Sequence, residues 1–263
     1  MLGEGLLLGV VLIIIFFGRY AMPYYRNYGI IPWHIPRLKA SEKAFLEKYF
    51  AFYKKLPDRS RKIFEKRVAT FMHSKTFVPR NMVAVAWEMK VLISASAIQI
   101  TFGFPQVHLS FFRYILVFPD KYYNKDTSQY HRGEVNPRTR SIVLGWKYFV
   151  EGYIKPDGRN LGLHEMAHAL RLENRIMNHE YNFLEPEILA EWELHADNTI
   201  REIKEGRETF FREYGATDRE EFFAVAVENF FERPDEFHDK HPETYNTLCR
   251  LLRQNPRLLS ENQ

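Results

Sequence analysis

Residues 161 to 174 read LGLHEMAHALRLEN, with two histidines four positions apart and a glutamate directly after the first. On an α-helix, positions i and i+4 lie one turn apart on the same face, so the rings of His164 and His168 can reach one cation. Glu165 is rotated from the first histidine by about 100° and can approach water at such a cation without ligating it. Helical placement has local support. Gly158 and Asn160 offer a start, Leu163, Ala167 and Leu170 make an apolar stripe, and Arg171 lies towards the carboxyl end. The pattern H-E-x-x-H thus predicts a helix that carries half of a metal site.

The other half must come from elsewhere in the chain. Cys249 is the single cysteine, which excludes an intramolecular disulfide and a thiolate zinc cage, and leaves histidine or carboxylate as the third ligand. Two downstream segments supply candidates. EPEILAEWELHAD offers Glu187, Glu191, Glu193, His195 and Asp197. ATDREEFFAVAVENFFERP places Glu221 and Glu228 seven apart on one face of an otherwise apolar helix. Glu220 has a competing use, because Thr217-x-x-Glu220 reads as a capping box with Asp218 adding to the favourable charge at the helix start. Periodicity does not choose between Glu193 and Glu221.

The chain has 263 residues, of which 46% are hydrophobic and 16% aromatic, ample for a packed core. Its formal charge of +4 is spread among interspersed acids and bases, so no direct nucleic-acid binding is expected. The amino terminus differs from the rest. GLLLGVVLIIIFFG, residues 5 to 18, carries no charge, and with Arg19 snorkelling the apolar stretch runs from Leu2 to Met22, about the length that crosses a bilayer core. Arg19, Arg26, Arg37, Lys39 and Lys43 all follow this stretch. The expectation is a single-pass anchor in the inner membrane, touching lipid through residues 2–22, with the body facing the cytoplasm. Residues 1–25 are then anchor and flank, 26–40 a linker containing Pro32 and Pro36, and 41–263 one domain.

Within that domain, helices are expected from Ser41 as cap, over Asp58 to Met72, and from Pro79 to about Ile100. FFRYILVFPDKYY and SIVLGWKYFV are rich in β-branched and aromatic residues and read as two strands. Between them HRGEVNPRTR, with Gly133 and Pro137, reads as the turn of a hairpin-like connection. The remainder returns to helix, giving an α+β class, mostly helical with a small central sheet. An extended peptide is expected to add to the sheet along residues 112–118.

NLGLHEMAHAL, followed some fifty residues later by YGATDREEFFAVAVENFFERPDEF, resembles the Mlc titration factor A family of zinc-dependent metallopeptidases over most of residues 41–263. The resemblance implies a zincin-like fold, one Zn²⁺ per chain, His164, His168 and Glu221 as ligands, and Glu165 as general base. It also implies Tyr214 near the scissile carbonyl of a peptide substrate, with Glu228 as a supporting carboxylate. A rival implication is a binding protein that captures a transcriptional regulator around a structural metal. The segment ALRLENRIMNHEYNF departs from the family pattern at Arg171 and Glu173, which bears on substrate preference.

Overall fold

The computed structural model describes residues 36–125, 127–176 and 183–259, with the isolated positions Gly9, Val11 and Ile15. Among the described residues no helix is long and apolar enough to cross a membrane. The expected single-pass placement in the inner membrane is therefore corrected. Its physical weakness lies in length: the uncharged run of residues 5–18 is too short for a span by itself, and reaching 22 required counting Arg19 as apolar. Apart from those three positions, the expected anchor and most of the linker lie outside the described residues.

The body opens with three helices, α1 (Ala40–Tyr49), α2 (Ala51–Lys54) and α3 (Asp58–Ser74). Ser41 does not cap the first. Lys39 stands at that position, and its backbone N–H donates to Glu42 Oε2 at 2.7 Å. The chain then forms strand β1 (Thr76–Pro79) before helix α4 (Trp87–Thr101), so the helix expected from Pro79 begins eight residues later. Every residue of α4 from Val91 to Thr101 is buried, because α4 is the central helix and packs against α1, α3 and a later helix at once. That is why its sequence shows no polar stripe.

Strands β2 (Tyr114–Phe118), β5 (Gly133–Asn136) and β6 (Ser141–Gly145) join β1 in a sheet of order β1-β2-β6-β5. β2 pairs with β1 and β6 in parallel, and β5 closes the sheet antiparallel to β6. A separate ribbon, β3 (Tyr122–Asn124) and β4 (Gln129–His131), lies between β2 and β5 in sequence. Two expectations change here. The aromatic-rich runs are not a hairpin, since β2 and β6 are parallel neighbours, and Gly133 stands in a strand where a turn was expected. Nor can a peptide add along 112–118, because β2 is hydrogen-bonded on both sides and the edge near the later helices is β5.

Helices α5 (Trp146–Ile154), α6 (Leu161–Ile176), α7 (Pro186–Lys204), α8 (Arg219–Glu232), α9 (Pro234–Lys240) and α10 (Pro242–Leu252) complete the fold, with 3₁₀ turns at Glu213–Ala216 and Pro256–Leu259. The α+β class, mostly helical with a small mixed sheet, is as expected. α6 is wedged between α4, α8 and the β5/β6 side of the sheet. Leu163, Met166, Ala167, Ala169 and Leu170 are all fully or nearly fully buried there. That placement aims the histidine face of α6 at α8.

Candidate metal centre

Helix α6 starts at Asn160, whose side-chain oxygen accepts from the N–H of Leu163 at 3.0 Å. Its first turn brings His164 opposite α8. There the seven-residue spacing of Glu221 and Glu228 grips one imidazole from both sides. Glu221 Oε2 lies 3.1 Å from His164 Nε2, and Glu228 Oε1 lies 2.6 Å from Nδ1. His168, one turn further on, places its Nε2 3.1 Å from that of His164 and 3.6 Å from Glu221 Oε2. His164, His168 and Glu221 thus each offer one donor atom, all within 4.8 Å of one another.

Two ligands bound tetrahedrally about 2.0–2.1 Å from a zinc ion stand roughly 3.3 Å apart, so these separations suit one small cation. A second observation agrees. Glu221 Oε2 is buried against the two imidazole nitrogens and accepts no other hydrogen bond among the described residues, an arrangement that a shared cation would complete. Burial alone would lift the Glu221 carboxyl, but the imidazoles beside it outweigh that and hold it far below the usual carboxylate range. For His164 burial opposes the charged ring, while Glu221 and Glu228 prevail and raise it to about 10.

Glu228 is 1% exposed and fully engaged. It accepts from the N–H of Asn160 at 2.6 Å and from both terminal nitrogens of Arg212, at 2.9 and 2.6 Å, besides facing His164. Arg212 also donates to the carbonyl of Gly158. Behind this group Glu232 accepts from the N–H of Gly158 and the side chain of Asn160, both at 2.9 Å.

Glu165 points to the other side of the pair, under strand β5, and is 5% exposed. Burial pushes its carboxyl up to about 7, against the opposing pull of His164 and His168. Tyr214 lies on the 3₁₀ turn before α8, half exposed, with its ring 6.0 Å from that of His164. Burial and the neighbouring Glu221 charge raise its hydroxyl above the ordinary value. A solvent-connected cleft of about 1200 Å³ runs past His164, Glu165 and Tyr214, bordered by β4, β5, α5 and the segment before the 3₁₀ turn.

Three of the rival carboxylates are engaged elsewhere. Glu193 pairs with Arg171 at 3.1 Å and Arg219 at 3.2 Å, and Asp197 with Arg219 at 2.5 Å. Glu191 pairs with Arg250 and accepts from Thr247. The capping box expected at Thr217 does not form. Asp218 is the cap, accepting from the N–H groups of Glu220 and Glu221 at 2.8 and 2.9 Å, while Glu220 turns to Arg171 and Arg175. Arg171 is therefore buried as the hub of an ion-pair network, stacked 5.3 Å from the ring of Phe223. Glu173 ties α6 to the N–H groups of Ser110 and Phe111. Nothing in the local spacing of Arg212 marks it, and Gly133 stands in HRGEVNPRTR, whose composition reads as a turn and so masks its place in a strand.

A helix-borne histidine pair facing a carboxylate from a second helix, beside an antiparallel edge strand, defines an α+β protein of the metallopeptidase type. Residues 33–253 match the glucose-regulated metallo-peptidase M90 family, and the chain belongs to that family. Among its curated relatives, an uncharacterized protein of Synechocystis is 25% identical over 226 residues, covering 78% of this chain and 81% of its own length. Mlc titration factor A of Escherichia fergusonii is 30% identical over 213 residues, covering 73% of this chain and 78% of its own. The protein of that name from Salmonella agona is 34% identical over 121 residues, 44% of this chain and 45% of its own.

Proposed function

We propose that this protein is a zinc-dependent peptidase in which His164, His168 and Glu221 hold the ion and Glu165 is the general base. The observation that carries the reading is the convergence of those three donor atoms within 4.8 Å, beside an open cleft that His164 and Glu165 line. When bound, zinc supplies Lewis acidity that polarises a carbonyl and makes water acidic near neutral pH.

The chain's own residues do the remainder. Glu228 accepts the Nδ1 proton of His164 and so fixes the ring with Nε2 as the nitrogen that faces the centre. Glu165 takes a proton from the attacking water and returns it to the leaving amine. Tyr214 donates a hydrogen bond to the developing oxyanion from the cleft side. Substrate is held along β5. Gly145 N–H donates to the carbonyl of Arg132 at 2.7 Å, and Gly133 is registered with Leu144. In antiparallel alternation this turns the N–H and C=O of Gly133 and Val135 away from β6, towards an incoming strand.

A second reading draws support from the relative named Mlc titration factor A: that this chain binds a transcriptional regulator of the Mlc kind. Zinc content and hydrolysis of a peptide panel, measured for the wild type and Glu165→Gln together, separate the two. The expected result is full zinc in both and turnover in the wild type alone. Hydrolysis that survives in the variant overturns the role of Glu165, and a wild type that binds zinc but cleaves nothing favours the binding reading.

A further inference from the structure

Strand β5 begins with Gly133, directly over Glu165. A methyl group built at Gly133 would stand 2.5 Å from Glu165 Oε1, 2.7 Å from its Cδ and 2.8 Å from its Cγ. Ordinary contact starts near 3.4 Å, so the two side chains cannot share the space without a shift of close to an ångström. One of them must move, and the strand is the better fastened. Gly145 holds the carbonyl of Arg132, and β5 is paired with β6 from Gly133 to Asn136. The Glu134 side chain accepts from Tyr122 at 2.8 Å and Asn124 at 2.6 Å, which ties β5 to strand β3. Glu165, by contrast, meets the strand with the far end of a flexible side chain.

We infer that Gly133 is a positioning residue: the side chain missing at this point of the edge strand forms the seat that holds the Glu165 carboxylate in its working place. A glycine inside a strand marks a point where another group approaches closely, and here that group is the proposed base. This inference rests on the function proposed above, through the role given to Glu165. The contact itself does not depend on that role. Misplacing a reacting group by about 1 Å can cost on the order of 100-fold in rate, so one methyl group at 133 is enough to disable the site while leaving the metal ligands in place.

The test is a double-mutant cycle of Gly133→Ala and Glu165→Ala read by thermal unfolding, with zinc affinity and peptide turnover measured alongside. In the Glu165 background the added methyl should lower Tm by about 3–10 °C, and in the Glu165→Ala background the drop should largely vanish. Zinc affinity of Gly133→Ala should stay within about threefold of wild type, while kcat falls about 100-fold with little change in KM. An equal Tm loss in both backgrounds overturns the inference, as does a Gly133→Ala protein with wild-type kcat. Should Gly133→Ala fail to fold, the double variant must fold; if neither does, the conflict lies with the strand and the inference falls. A wild type without peptidase activity would sink the proposed function, yet the unfolding cycle would still decide whether Gly133 seats Glu165.

Discussion

Glu228 and Glu232 sit one turn apart on α8, are both largely enclosed, and fare differently. Glu228 has Arg212 and His164 as charged partners. Among the described residues Glu232 faces neutral donors, Asn160 and the N–H of Gly158, and burial pushes its carboxyl up to about 7 in spite of them, with Glu228 and Asp157 adding to the rise. The folded protein thus holds a proton there more tightly than the unfolded chain, whose ordinary value is 4.5. The stability this confers is complete below about pH 4.5 and is lost as pH rises to about 7. Glu232→Gln should remove that slope. Unfolding free energies from urea titrations at pH 5 and pH 8 should differ less in the variant than in the wild type, by an amount on the order of 2–3 kcal/mol. An unchanged difference would show that Glu232 is ionised throughout. The same scale explains what the sequence could convey about the site. The helical period places His164, His168, Glu221 and Glu228 on usable faces but does not separate Glu221 from Glu193; the family resemblance favours Glu221, and in the fold Arg171 and Arg219 hold Glu193.

At the scale of elements, helices were legible and strand partners were not. The helix carrying the histidines announces itself by its apolar stripe, and α3 by its period. An aromatic and β-branched run, however, is the same string whether its neighbour runs parallel or antiparallel, so β2 and β6 read as a hairpin although they are parallel. The true reversal lies at residues 137–140, between β5 and β6, where Arg140 adopts φ 54. Four residues before it, β5 was hidden in what resembled turn composition. The correction matters for substrate, because it moves the open edge from β2 to β5. If the outward N–H of Val135 pairs with a bound peptide, Val135→Pro removes one hydrogen bond to substrate and none to β6. kcat/KM for peptides should fall about tenfold, the worth of one such bond, with zinc content unchanged. A loss of zinc equal to the loss of turnover would instead indicate that the sheet itself had been damaged.

For the whole molecule, the donor set joins parts of the chain that are far apart in sequence. His164 and His168 belong to α6, which is packed on the central helix α4 and on the sheet, whereas Glu221 opens α8, packed on α6, α7 and the 3₁₀ turn that carries Tyr214. A cation held by all three would cross-link these layers, and only in the folded state, because the unfolded chain separates Glu221 from the two histidines by more than fifty residues. Binding then adds stability by mass action. With free zinc at about 1,000 times its dissociation constant the gain is about 4 kcal/mol, which for a chain of this size raises Tm by about 8–16 °C. Chelation should reverse the rise. In Glu221→Ala the zinc-dependent part should shrink to a small remainder, since two imidazoles on a single helix still bind weakly but no longer connect α6 to α8. Scanning calorimetry of both proteins with zinc and with a chelator measures this directly. A wild type whose Tm ignores zinc would mean that the three donors do not act as one site, and a Glu221→Ala protein with the full shift would mean that another carboxylate closes it.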